Sequence, residues 1–129
     1  MSPGITRLLV FLVITMLLMP LVAYSSPDAL LAELGVELKR IRASQSDQPV
    51  SSGLKPNVKV LAKIKRTQIQ SALGAPDSCS ERKSSFCANA QEWRYLFHKL
   101  PVSWRGGGAE LVLSFDRNLV RDAQWIYSR

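Results

Sequence analysis

The chain has 129 residues and a formal net charge of +7, and 47% of its residues are hydrophobic. That length allows one compact domain with appended segments. Because the chain has one histidine and two cysteines, a His/Cys-rich metal site is excluded, and any Ser-His-Asp or Cys-His catalytic set would have to use His98.

Residues 1–25 have the pattern of an export signal. Arg7 precedes an apolar run from Leu8 to Met19, and Ala23-Tyr24-Ser25 is the small-x-small pattern that signal peptidase recognises. The uncharged stretch also approaches the length of about 20 residues that spans a bilayer, so an uncleaved anchor is the alternative. Both interpretations export the rest of the chain. Serines stand where a lipoprotein has its cysteine, so we expect no lipid on the mature N-terminus.

Residues 27–43 are predicted to form an amphipathic helix. Ser26 can cap this helix, and Pro27 suits its first turn. Apolar residues recur at spacings of three and four, which places them on one face: Leu31, Leu34, Leu38 and Ile41. Residues 44–56 are rich in Ser, Gln, Pro and Gly, a composition that predicts a linker.

Two short helices are predicted between Val58 and Leu73, with a turn near residues 63–65. Gly74 and Pro76 end the second helix, as glycine and proline often do. Four basic residues follow at steps of four, four and three, which would place them on one helical face: Lys55, Lys59, Lys63 and Arg66. Such a stripe suits an anionic lipid surface, and a solvated face is the alternative.

Three β-strands are predicted after residue 91, because the apolar period changes from helical to two. Their short connections favour antiparallel pairing. One face would be aromatic: Trp93, Tyr95, Phe97, Phe115, Trp125 and Tyr127. Residues 57–129 are therefore expected to form an α+β domain of two layers, α-α-β-β-β, with a three-stranded antiparallel sheet packed on two short helices.

The two cysteines, Cys79 and Cys87, lie in the polar loop that precedes the first strand. Their spacing is neither that of a CxxC redox motif nor that of a zinc site. In an oxidising compartment they are expected to form a disulfide. Two unrelated buried thiols are the alternative.

Catalytic residue sets are not evident, so we expect a protein that is not an enzyme and needs no cofactor. His98 lies mid-strand beside Phe97, which is typical of a structural histidine. The run Arg105-Gly106-Gly107-Gly108 joins two strands and lacks the Gly-Lys-Ser/Thr of a P-loop, so a flexible hairpin is predicted there.

Two features suit the binding of a partner. On the outer face of the sheet, Leu96, Val112 and Ile126 are predicted to form an apolar centre with a polar rim, which is how interfaces are built. A solvated face with scattered aliphatic residues is the alternative. In the Gly-rich loop, Trp104 and Arg105 are of the types that dominate binding hot spots. The alternative is that Trp104 folds back onto its own sheet.

Residues 57–127 resemble the BamE family, also called SmpA/OmlA. In that family a helix ends in Leu-Gly-x-Pro, and a Trp-x-Tyr strand and a strand ending in Phe-Asp or Phe-Asn follow. Here these are Leu73-Gly74-Ala75-Pro76, Trp93-Arg94-Tyr95 and Phe115-Asp116. The resemblance implies an α-α-β-β-β fold at the periplasmic side of a Gram-negative outer membrane. BamE itself is an accessory subunit of the machine that inserts β-barrel proteins, and it binds partner subunits and phosphatidylglycerol.

The chain departs from this family, and its Cys79–Cys87 loop and Leu31–Ile41 helix look like additions to the family's fold. It has no lipidated cysteine, and the Gly-Met-Thr that commonly opens the second helix falls on Lys63-Ile64-Lys65. Other proteins of this fold are inhibitors that dock on an enzyme, such as the β-lactamase inhibitory protein.

The resemblance and the export signal together predict a non-catalytic accessory or scaffold protein of the bacterial envelope. Its expected partners are envelope proteins, among them the outer-membrane β-barrel assembly machinery, and an anionic lipid surface, but not nucleic acid. A periplasmic inhibitor that docks on an envelope hydrolase is the alternative. The expected location is the periplasm, at the outer membrane, or the inner membrane if the N-terminal segment is not cleaved.

Overall fold

The computed structural model describes residues 26–81 and 84–128, without the side chains of residues 84–86. The predicted export segment, residues 1–25, lies outside this part of the chain. The elements in chain order are helix α1 (Pro27–Ala43), strand β1 (Val50–Ser51), a first 3-10 turn (Val58–Leu61), helix α2 (Arg66–Leu73), strand β2 (Ser78–Cys79), a second 3-10 turn (Ser84–Asn89), and strands β3 (Glu92–Leu96), β4 (His98–Lys99), β5 (Ala109–Asp116) and β6 (Leu119–Tyr127).

The main sheet is antiparallel and has the strand order β2-β3-β5-β6, while β1 and β4 form a separate antiparallel ribbon. The predicted α+β class with antiparallel strands is therefore confirmed. The prediction of a three-stranded sheet is wrong, because β2 adds a fourth strand and the ribbon a second sheet. Both additions consist of strands of two residues, which are too short to show an alternation of apolar and polar residues.

Helix α1 covers the residues predicted for it. Its N-terminus is capped by Ser26, whose Oγ accepts a hydrogen bond of 3.1 Å from the Ala29 N–H. The apolar face of α1 is buried in the same core as α2 and the inner face of the sheet: Leu30, Leu31, Leu34 and Leu38. Helix α1 is thus part of the domain core.

The segment predicted as a linker, residues 44–56, is fastened to the domain by hydrogen bonds. Ser51 Oγ accepts one from the Ala109 N–H, and the Ser52 N–H donates one to the Phe97 carbonyl. The buried Ser52 hydroxyl also donates to Glu37 on α1, over 2.9 Å. Composition did not reveal these contacts, because their partners, Glu37, Phe97 and Ala109, lie elsewhere in the sequence.

The turn before α2 keeps the backbone shape of a glycine turn although no glycine is present. Lys63 has a φ of +70°, in the left-handed region. The Lys63 N–H donates to Val120 O, and the Val120 N–H donates to Ile64 O, so the turn pairs with the edge of β6. At the other end of α2, Gly74 has a φ of +76° and its N–H donates to Gln70 O, as predicted for a terminal glycine.

The aromatic inner face of the sheet is buried over most of its length. Trp93, Tyr95, Phe97 and Phe115 are at most 4% exposed. The Tyr95 hydroxyl donates to Gly74 O over 2.8 Å, and burial raises the pKa of that phenol. Tyr127, also predicted to face inward, is 56% exposed, because it is the last residue of the edge strand.

Helices α1 and α2 approach each other closely at Gly35. A Cβ atom at this position would lie 2.8 Å from the Ala72 carbonyl oxygen of α2. A side chain cannot be accommodated at that distance without moving the backbone of one helix. Glycine normally weakens a helix interior, and here the close crossing explains its presence.

The predicted disulfide between Cys79 and Cys87 is confirmed. It joins β2 to the second 3-10 turn. The Cys87 carbonyl also accepts a hydrogen bond from the Trp93 indole N–H, which fixes this turn to the core.

Candidate interaction surface on the outer face of the sheet

The outer face of the sheet lies opposite both helices. Helices α1 and α2 bury their apolar residues in one cluster with the inner-face residues of β3, β5 and β6. The sequence did not determine whether α1 covers the outer face, and the structure places α1 on the other side. Leu96, Val112 and Ile126 are all half-buried on this outer face.

The strand register arranges these three residues around Glu110. Leu96 and Ile126 lie directly opposite Glu110 on the two neighbouring strands, and Arg94 and Gln124 lie opposite Val112 in the next row. The predicted apolar centre with a polar rim is therefore incorrect. A carboxylate occupies the middle, and the aliphatic side chains frame it. Sequence alternation assigns residues to a face but does not give their cross-strand neighbours.

Glu110 is only 6% exposed, and Arg94 and His98 are its neighbours. Arg94 Nη1 lies 2.9 Å from Glu110 Oε2, while His98 Nε2 lies 3.5 Å from Oε1, longer than an ordinary hydrogen bond. Arg94 also reaches Glu92 at 3.4 Å. Burial of a carboxylate is unfavourable unless charged donors compensate it, so the Arg94 guanidinium fixes the position of Glu110. We name Arg94, His98, Glu110, Leu96, Val112 and Ile126 the outer-face patch.

A second ion pair borders the outer-face patch. Lys59 reaches from the first 3-10 turn across the sheet edge, and its Nζ lies 2.9 Å from Asp122 Oδ1. Gln124 donates to the other carboxylate oxygen over 3.1 Å. The hydrogen bonds from Lys59 and then Gln124 lower the pKa of Asp122. These groups are exposed, so the ion pair contributes little to stability.

The loop between β4 and β5 keeps Trp104 and Arg105 at the surface. Trp104 is 47% exposed, and its indole packs against Gly106 of its own loop. Arg105 is exposed as well. The contacts of the described residues do not join either side chain to the outer-face patch. The loop is therefore a separate candidate contact.

The predicted basic stripe does not form. Lys55, Lys59 and Lys63 are exposed, but Arg66 is only 8% exposed. The chain passes here through a 3-10 turn and the left-handed Lys63, so the angular spacing of an α-helix does not apply.

Arg66 instead lies in the core, between aromatic rings. Its guanidinium carbon is 3.9 Å from the Phe115 ring centroid and 5.0 Å from that of Trp93. Its Nη1 and Nη2 donate to Ala90 O over 2.7 Å and to Arg117 O over 2.6 Å. Burial lowers the pKa of Arg66, since desolvation disfavours the charge. Sequence reasoning missed this role, and no local pattern indicates it.

Residues 26–81 and 84–128 contain neither a metal-binding cluster nor a membrane-spanning helix. Within these ranges, no group of three or more His, Cys, Asp or Glu residues is placed to hold a metal ion. In the same part of the chain, none of the helices combines the length and apolar character needed to cross a bilayer.

Comparison with known proteins gives no relative for this chain: neither a family model nor a curated protein nor a solved structure matches it.

Proposed function

We propose that this protein is a non-catalytic accessory or scaffold protein of the bacterial cell envelope, of the BamE type, and that it binds a larger protein through the outer-face patch. The observation that carries the proposal is the arrangement of this patch. A fixed ion pair, Arg94–Glu110, lies within a frame of half-buried aliphatic side chains on a face that neither helix covers.

The physical properties of the patch suit protein recognition. Its aliphatic side chains offer apolar area that a partner can bury, and arginine is enriched in interface cores. The oriented Arg94–Glu110 pair would favour partners with complementary charges and disfavour others. A further carboxylate, Glu92, sits beside Arg94 and extends the charged row along β3.

The BamE-type assignment is supported by the positions of the residues that carry the resemblance. Gly74 ends α2 in the left-handed region, Trp93 and Tyr95 are core residues of β3, and Phe115-Asp116 ends β5. Lys63 adopts the backbone conformation that the family's glycine would favour. Strands β3, β5 and β6 would be the three-stranded sheet of that fold, with β2 as an addition.

The export pattern of residues 1–25 supports a periplasmic location at the outer membrane, or an inner-membrane anchor if that segment is retained. The partner we propose is the outer-membrane β-barrel assembly machinery. An anionic lipid surface is not part of the proposal, because Arg66 is buried and Lys59 is paired with Asp122.

The test is in-cell crosslinking in the native host, followed by pull-down through a C-terminal tag and mass spectrometry. The variant carries Leu96→Arg and Ile126→Arg. The matched control carries Val36→Arg and Val102→Arg, which add the same charge at exposed aliphatic positions elsewhere. Assembly subunits should be recovered with the unmodified protein and the control but not with the variant, while circular dichroism shows that all three are folded. Equal recovery with the variant would remove the outer-face patch from the proposal.

A second candidate function is the inhibition of an envelope hydrolase, which the exposure of Trp104 favours. A single hydrolase in the pull-down, without assembly subunits, would support this function. In that case Trp104→Ala with Arg105→Ala should abolish recovery of the hydrolase and restore its activity, while the outer-face variant should not. Release of the protein with the soluble periplasm, not with washed envelopes, would agree with this outcome.

A further inference from the structure

A cleft of about 330 Å³ lies at one end of the sheet, beside the turn between β5 and β6. It shares no residue with the outer-face patch. Arginines, amides and one carboxylate dominate its lining: Arg66, Arg117, Arg121, Asn89, Gln91, Asp116 and Phe115.

The cleft has an excess of positive charge that the described residues do not neutralise. Three arginines and a single carboxylate residue, Asp116, line it. Among the ion pairs of the described residues, none involves Arg117 or Arg121. Arg66 is more than nine-tenths buried, and its Nε–H finds no acceptor in this part of the chain. A positive potential in a concave surface with a desolvated arginine attracts an anion.

Two backbone donors of the cleft are already used. The backbone N–H groups of Arg66 and Phe115 are already bound, to Asn118 O and Gln91 O. Phosphate sites commonly use free backbone N–H groups, and two of those at this cleft are occupied. Guanidinium forks bind both carboxylates and phosphates through two parallel hydrogen bonds.

We infer that this cleft binds the carboxylate of an acidic peptide, with Arg117 and Arg121 as its ligands. The amides of Asn89 and Gln91 stand beside them and suit the flanking peptide groups, since an amide both donates and accepts hydrogen bonds. Asp116 disfavours more highly charged anions, because a second negative charge in the ligand would meet this carboxylate.

The inference is tested by NMR titration of the folded, oxidised protein with N-acetyl-glutamate methylamide as the probe. The readouts are the guanidinium Nε–Hε signals of Arg117 and Arg121 and the backbone amides of residues 115–121. These signals should shift in a saturable manner with a millimolar Kd, as expected for an isolated ion-pair ligand. The uncharged N-acetyl-glutamine methylamide should leave them unchanged, and inorganic phosphate should bind more weakly than the glutamate probe.

Variants separate the cleft from general charge effects. Arg117→Gln with Arg121→Gln should weaken binding of the glutamate probe by at least about tenfold. Lys39→Gln with Arg105→Gln removes the same charge at exposed positions elsewhere and should leave the Kd unchanged. The inference is overturned if no saturable shift occurs, if both variants lose affinity equally, or if phosphate binds more tightly than the carboxylate.

Discussion

Arg66 is the residue whose replacement tests the description of the core most directly. We expect Arg66→Met to lower the free energy of unfolding by about 3 kcal/mol at neutral pH. Each hydrogen bond, to Ala90 O and to Arg117 O, contributes about 1 kcal/mol, and the contact with the rings contributes about 1 kcal/mol more. Methionine keeps most of the apolar stem, so lost packing adds little. The two carbonyl groups would remain without their donor.

The measurement is equilibrium unfolding in urea or guanidinium chloride, followed by tryptophan fluorescence and circular dichroism. Arg42→Met is the control, because Arg42 forms an exposed ion pair with Asp77 at 3.2 Å. Such pairs contribute about 1 kcal/mol or less.

If Arg66→Met were as stable as the control or more stable, the estimate of about 3 kcal/mol would be refuted, and there is a physical reason why this could happen. Burying a charge is unfavourable, and a well-packed apolar replacement sometimes stabilises a protein. Equal stability of Arg66→Met and Arg42→Met, or a gain in Arg66→Met, would mean that desolvation of Arg66 cancels its contacts.

Three other changes have expected outcomes. Replacing Cys79 and Cys87 by serine should lower the free energy of unfolding by about 2.5 kcal/mol, since the bridged positions are 8 apart, as measured by thermal and chemical unfolding. Lys65→Thr should raise it by about 0.5–1 kcal/mol, because Gln68 already accepts from the Lys65 N–H and threonine would complete the capping box. Glu37→Gln should lower it by about 1 kcal/mol at neutral pH, and unfolding measured against pH should show this difference shrink in acid.

The sign for Glu37 follows from its lowered pKa, which is caused first by the hydrogen bond from Arg40. A carboxyl group with a lowered pKa in the folded state stabilises the fold above its ordinary pKa of 4.5 and loses that contribution as the pH falls through the lowered value. A constant difference between Glu37→Gln and the unmodified protein across this range would contradict the assignment. A loss of stability in Lys65→Thr would contradict the expected capping box. An unchanged unfolding midpoint after replacement of both cysteines would contradict the stabilising role of the disulfide.

Elements with strong local signals were predictable from the sequence. The serine cap, the proline in the first turn and the apolar spacing gave α1 its correct bounds, Pro27–Ala43. Gly74 and Pro76 gave the end of α2. Strands β1 and β2 have two residues each and pair with strands distant in sequence, so neither periodicity nor composition indicates them. His98, predicted in the middle of a strand, instead begins the separate strand β4, which pairs with β1.

The sequence predicted which residues of the candidate site share one face of the sheet. It did not predict which of them lie opposite one another on neighbouring strands. The pairing of β5 with β6 shifts between Ser114 and Phe115, at a β-bulge. At the turn, Asp116 pairs with Leu119. If the pairing continued from there without a shift, Trp125 would lie opposite Glu110. The bulge places Ile126 there and keeps Trp125 on the inner face. Nothing in the alternation of residues signals the extra residue.

The close crossing of α1 and α2 makes neighbouring positions differ sharply in the substitutions they tolerate. At Gly35 even a methyl group would meet the Ala72 carbonyl oxygen, whereas the next side chain, Val36, is 71% exposed. Saturation mutagenesis of α1 should therefore recover glycine alone at position 35 and nearly every residue except proline at position 36. Natural sequence variation in this helix would follow the same pattern: position 35 would remain glycine, whereas position 36 would accept many residue types.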